Sequence, residues 1–126
     1  MKKILIIEDE ETLTDVLVAK FSSEECRDFI VLRANNGKEG YDIALRERPD
    51  LILLDIVMPV MDGMTMLAKL RKDIWGKRVK VILLTNLSDP EKLVKSQKHG
   101  VRQYLIKSDW TLDDIVKKVN EELDSA

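Results

Sequence analysis

Short strand-like runs alternate along this chain with stretches of helical periodicity. Ile4–Ile7 is continuous and apolar, the pattern of a strand buried on both faces of a sheet, and Phe29–Leu32, Leu51–Leu54, Val79–Leu84 and Gln103–Ile106 read as four more strands. Between the first two, Leu13, Val16, Leu17 and Phe21 follow i, i+3, i+4 spacing, with Lys20 as a polar interruption. Thr12 with Asp15 predicts a capping box for that helix. Asn36 followed by Glu39 starts a second helix, which carries Tyr41, Ala44 and Leu45 inward and ends before Pro49. After Pro59 and the Asp62-Gly63 turn signal, Met64, Leu67, Ala68 and Leu70 predict a third. Asp89 and Pro90 open a fourth, which Gly100 stops. Thr111 with Asp114 caps a fifth, whose inward stripe is Leu112, Ile115, Val116, Val119 and Leu123.

Strict β-α alternation with short connections predicts right-handed crossovers and a parallel sheet covered by helices on both faces. The length of 126 residues, 44% of them hydrophobic, suits one domain over 1–126. In such a sheet the carboxyl ends of the strands lie at one edge. That edge gathers Glu8 and Asp9, Asp55, Thr85 and Lys107, residues nearly a hundred positions apart.

Three carboxylates in one crevice repel one another unless a cation joins them. Magnesium suits the set: it is hard, prefers oxygen and is commonly held by one or two carboxylates with several waters. Asp9 and Asp55 are the candidate direct ligands and Glu8 a ligand through water, with no histidine or thiolate near to favour zinc. Lys107 adds a positive charge and Thr85 a hydroxyl, which together describe a phosphate site. A strand-end carboxylate can attack a phosphoryl group when the charge on the transferring oxygens is neutralised, and Asp55, placed centrally, is the candidate nucleophile.

Overall charge narrows the partners. With 21 basic and 23 acidic residues the net charge of −2 supplies no general cationic field for nucleic acid or anionic lipid. Cys26 is the single cysteine, so an internal disulfide is excluded. The apolar runs fall far short of the ~20 residues that span a bilayer, and MKKILIIEDE turns acidic too soon for a signal-peptide core. The expected location is the cytoplasm, without membrane contact.

Glu8 and Asp9, Asp55 with MP and DG following, Thr85, Tyr104 and Lys107 stand in the order and spacing of one family. From Lys3 to about Leu123 the chain resembles the receiver domain of two-component response regulators. The resemblance implies a flavodoxin-like (βα)5 sandwich with a parallel sheet of strand order 2-1-3-4-5. It implies that Asp55 accepts a phosphoryl group from a phosphohistidine on a sensor histidine kinase or phosphotransfer protein. Glu8, Asp9, Asp55 and the backbone carbonyl of Val57 would hold Mg2+, Lys107 would contact the phosphoryl group, and Thr85 would move to hydrogen-bond it. Tyr104 would turn inward as Thr85 withdraws, altering the surface of the fourth helix, fifth strand and fifth helix. The signal would pass to a downstream effector protein by contact through that face, from a monomer or a phosphorylation-linked homodimer. No substrate turnover is implied beyond the domain's own phosphorylation and slow dephosphorylation.

Other readings fit less well. Aspartyl phosphatases resemble a pattern with a second aspartate two residues on, where this chain has Val57, and a nucleotide-binding turn needs glycines that EDEET lacks. A phosphorylation-independent pseudo-receiver would lack one of the marked residues, and none is missing.

The chain departs from the family at two places. Ser108 stands where proline usually follows the lysine, so the Lys107–Ser108 bond is expected to be trans, because a non-proline cis bond costs about 2.5–4 kcal/mol. Asn86 replaces a smaller residue, while Val57 and Leu87 are apolar and cannot orient an attacking water, which predicts slow self-dephosphorylation. Lys92, Lys95, Lys98 and Arg102 read as a solvated basic face. His99 reads as a helix C-terminal residue, and Trp75 and Trp110 as side chains packed over helix ends.

Overall fold

A computed structural model describes residues 1–23, 29–86 and 89–125; Cys26 and Leu87 lie outside the described residues. Strands β1 (Lys2–Ile7), β2 (Phe29–Ala34), β3 (Leu51–Leu54), β4 (Lys80–Thr85) and β5 (Gln103–Ile106) alternate with helices α1 (Glu11–Phe21), α2 (Gly37–Glu47), α3 (Gly63–Leu70), α4 (Pro90–Lys98) and α5 (Leu112–Asp124). All strand pairs are parallel, in the expected order β2-β1-β3-β4-β5. A 3-10 turn over Lys107–Asp109 joins β5 to α5.

Strand alternation sends neighbouring side chains to opposite faces, which splits the interior into two layers. Leu5, Ile7, Ile52, Leu54, Val81 and Leu83 pack on one face with Ala44 of α2 and Met66, Leu67 and Leu70 of α3. Ile4, Ile6, Leu51, Leu53, Ile82, Leu84 and Leu105 pack on the other with Leu17 and Phe21 of α1 and Ile115, Val116, Val119 and Leu123 of α5. All four residues of β3 are buried, as a central strand covered on both sides requires. Phe21 meets Phe29 edge to face at 5.4 Å. Helix α4 is the lightly held element: Ser96 is its only buried residue, and Leu93 and Val94 remain exposed.

Three of the helix starts match their signals. Asn36, Asp89 and Thr111 accept from the backbone N–H groups of Glu39, Glu91 and Asp114 at 2.8, 3.0 and 3.1 Å. The first helix does not. It begins at Glu11, so Thr12 already lies inside it, and the N-cap Glu10 makes no side-chain cap. Helix entry is set there by the acidic cluster, because Glu10 N–H donates to Glu8 Oε1 at 3.1 Å. Lys20, the interruption in the apolar stripe, forms an ion pair with Asp113 of α5.

Two cations hold the far end of the sheet. Arg71 donates to the carbonyls of His99, Gly76 and Val79 at 2.6, 2.7 and 2.8 Å, tying the end of α3 to that of α4. Burial lowers its pKa. Lys80 Nζ caps the end of α5 at the carbonyls of Glu122 and Ser125, both at 2.6 Å. His99 is the C-cap of α4. Trp75 and Trp110 pack against the two cores, the latter with Lys118 Nζ 5.6 Å from its ring centre. No cis peptide bond occurs among the described residues, so the Lys107–Ser108 bond is trans, as the serine predicts.

Candidate functional site

At the carboxyl edge of the sheet, Glu8, Asp9, Glu10, Asp55, Val57, Thr85, Asn86 and Lys107 line a crevice of about 490 Å³. The register explains the convergence. Ile7 pairs with Leu54, so the residues that follow them, Glu8 and Asp55, emerge side by side. Asp55 N–H is anchored on the carbonyl of Ile7 at 3.0 Å and Glu8 N–H on that of Ala34 at 3.0 Å. Thr85 ends β4 opposite Ile106, which delivers Lys107 one step further on.

The side chains are tightly organised. Lys107 Nζ lies 2.7 Å from Glu8 Oε2 and 3.4 Å from both Asp55 Oδ2 and Glu10 Oε2. Asp55 Oδ1 accepts from the N–H of Ile56 at 2.7 Å, which fixes the carboxylate plane. Glu8, Asp55 and Thr85 are buried, whereas Asp9 is exposed. Carboxylate oxygens of Glu8, Asp9 and Asp55 all come within 4.8 Å of one another. Oxygen donors alone, close enough to share one ion, fit a hard divalent cation such as Mg2+.

The cluster carries more negative charge than one ammonium balances. Burial pushes the Glu8 carboxyl from its ordinary 4.5 up to about 7; the hydrogen bond from Lys107 pulls against this, and the charge of Asp55 adds to it. For Lys107, burial would lower the pKa, but the hydrogen bond to Glu8 and the charge of Asp55 outweigh it and the net shift is upward. Lys107 therefore stays cationic at neutral pH.

The Glu8 shift has a measurable consequence. A carboxyl whose folded pKa is raised holds its proton more tightly in the fold than in the unfolded chain, so stability falls as pH climbs from 4.5 through about 7. Glu8→Gln mimics the protonated form. In metal-free buffer it is expected to unfold at the parent's midpoint near pH 4.5 and to be more stable above pH 7, by about 1–3 kcal/mol. Thermal melts across that range, with saturating magnesium narrowing the gap, test this; a variant less stable than the parent at pH 8 would contradict it.

Tyr104 is half-buried against the layer that the sheet shares with α2 and α3, and burial raises its pKa, opposed by a backbone hydrogen bond from Asp89. It pairs in register with Leu83, and Thr85 lies on the same face of β4 as Leu83, so Tyr104 sits one step below Thr85. Val57, with 61% of its surface exposed, and Asn86 form part of the rim. The expected site residues thus converge. Glu10 joins them without having been singled out, although its place directly after Glu8 and Asp9 was the available signal.

The sequence model of the response regulator receiver domain matches residues 4–120. The chain is 36% identical to protein PilH of Pseudomonas aeruginosa over 107 residues, 85% of this chain and 86% of PilH. It is 30% identical to sporulation initiation phosphotransferase F of Bacillus subtilis over 122 residues, 97% of this chain and 94% of that protein. Several other curated relatives are longer, and the chain spans 24% to 52% of their length. A CheY-like receiver domain from Methanospirillum hungatei superimposes with a TM-score of 0.85 at 29% identity, over 98% of this chain and 94% of that one. Among the described residues no helix is long and apolar enough to cross a membrane. By sequence and by fold, the chain belongs to the response regulator receiver domain family of two-component signalling.

Proposed function

We propose that Asp55 is the phosphoacceptor of a phosphorylation-driven switch. The observation that carries this reading is the disposition of its two oxygens. Oδ1 is held by the Ile56 N–H, while Oδ2 lies 3.4 Å from the Lys107 ammonium and lines the crevice. Oδ2 would attack phosphorus, forming an O–P bond as the N–P bond of a phosphohistidine breaks and the imidazole leaves with a proton. Lys107, kept protonated by its carboxylate neighbours, would then follow the charge onto the phosphoryl oxygens. Mg2+, when bound by Asp9, Asp55 and the Val57 carbonyl, with Glu8 through water, would neutralise the same oxygens.

The switch would run through Thr85 and Tyr104. Thr85 is buried beside the crevice, so moving it toward a phosphoryl group would open space for the half-buried Tyr104 on the same face. Helix α4 is suited to respond, because an element that buries one small residue can shift at little cost in packing. The partners on this reading are a histidine kinase or phosphotransfer protein upstream and an effector protein at the α4-β5-α5 face. The domain acts as a monomer or dimerises through that face.

The test is intact-mass analysis after incubation with a small phosphodonor, with magnesium or with a chelator. One phosphoryl group is expected with magnesium and none in chelator. Donor removal then reads the lifetime of the adduct. The Val57 side chain has no hydrogen-bonding group with which to orient an attacking water, so loss should be slow, and a half-life of seconds would exclude that part of the reading. No uptake, even from a phosphohistidine protein, would turn the reading toward a phosphorylation-independent interaction module.

A further inference from the structure

Glu10 is the N-cap residue of α1, but its side chain does not cap the helix. The carboxylate instead reaches Lys107 Nζ at 3.4 Å. Its side chain is 59% exposed, against 4% for Glu8, 7% for Asp55 and 12% for Lys107. Three of these groups therefore form the floor of the crevice, and Glu10 stands at its mouth. Its main chain has a separate task, the N–H bond to Glu8 Oε1, which a change of side chain leaves intact.

Resting on the phosphoacceptor reading of Asp55, we infer that Glu10 selects among phosphodonors by charge. A donor entering the crevice to reach Asp55 comes near this rim carboxylate, which shares Lys107 with Asp55, so each additional negative charge on the donor adds repulsion. A free acyl phosphate arrives with two charges and nothing else to hold it. A phosphohistidine on a protein partner arrives with its phosphoryl group positioned by the rest of the interface, which offsets the repulsion. Glu10 thus shields the domain from free anionic phosphodonors while leaving it open to a docked one. It is a positioning and selecting residue and takes no part in bond making.

The experiment compares phosphorylation rates of the parent, Glu10→Gln and Glu10→Asp in magnesium, using acetyl phosphate, doubly charged near neutral pH, and phosphoramidate, singly charged. Glu10→Gln is expected to accelerate uptake from acetyl phosphate about three- to fivefold more than uptake from phosphoramidate at low salt. The difference should vanish near 1 M salt, where the screening length is about 3 Å. Glu10→Asp keeps the charge at the rim and should keep the parental donor preference. Equal effects on both donors, or Glu10→Asp behaving as Glu10→Gln, would overturn the inference and leave the phosphoacceptor reading standing. A parent that accepts from neither donor, nor from a phosphohistidine protein, would overturn both.

Discussion

Asp55→Asn is expected to abolish phosphoryl uptake while preserving the fold. The substitution keeps the shape of the side chain, and the amide oxygen can still accept the Ile56 N–H that Asp55 Oδ1 accepts at 2.7 Å. What disappears is the negative charge that makes the second oxygen a nucleophile, so uptake should fall about a thousandfold or more. Stability should hold or rise, because one of several crowded carboxylates is neutralised while Lys107 keeps its 2.7 Å contact with Glu8. Magnesium binding should weaken, since one of the three clustered carboxylates is lost. Intact mass, thermal melting and a magnesium titration check the three parts. Undiminished uptake by the variant would move the nucleophile to another residue.

The second large effect is expected at a residue with no chemistry of its own. A Cβ on Gly63 would lie 2.0 Å from the carbonyl oxygen of Asp55 and 2.9 Å from both Asp55 C and Ile56 Cα. These are backbone atoms and cannot swing aside. The close approach is itself bonded, since Gly63 N–H donates to the Ile56 carbonyl at 2.8 Å. Gly63→Ala must push the start of α3 away from the end of β3, at a cost of about 3 kcal/mol or more. For a domain of this size that lowers the melting temperature by roughly 10 °C. Because the atoms struck belong to Asp55 and Ile56, uptake should slow even where the variant remains folded. An unchanged urea midpoint would show that the helix start is more compliant than the 2.0 Å approach implies.

The elements and most of the site were legible in the sequence because each depends on local chemistry. Buried strands announce themselves as apolar runs, and the caps at Asn36, Asp89 and Thr111 use a side chain and an N–H two or three residues apart. Glu8, Asp9, Asp55, Thr85 and Lys107 could be collected because the carboxyl ends of parallel strands share one edge. The capping box expected at Thr12 and Asp15 failed for the complementary reason. A long-range cluster around Lys107 governs the chain just before α1, and its pull on Glu8 and Glu10 is invisible in a four-residue window.

By itself the sequence determined the order and type of the elements, the two-layered core and the set of groups at the carboxyl edge. Tertiary structure alone decided how those groups share charge: that Lys107 faces three carboxylates, that burial pushes Glu8 up to about 7, and that Glu10 rather than a helix cap occupies the rim. It also decided that Gly63 is held against the backbone of Asp55, where the Asp62-Gly63 pair had read only as a turn. The division has one physical cause. Hydrophobic periodicity and capping act over a few residues and are written in their spacing, whereas desolvation, ion pairing and steric contact depend on distances of a few ångströms between segments that only folding brings together.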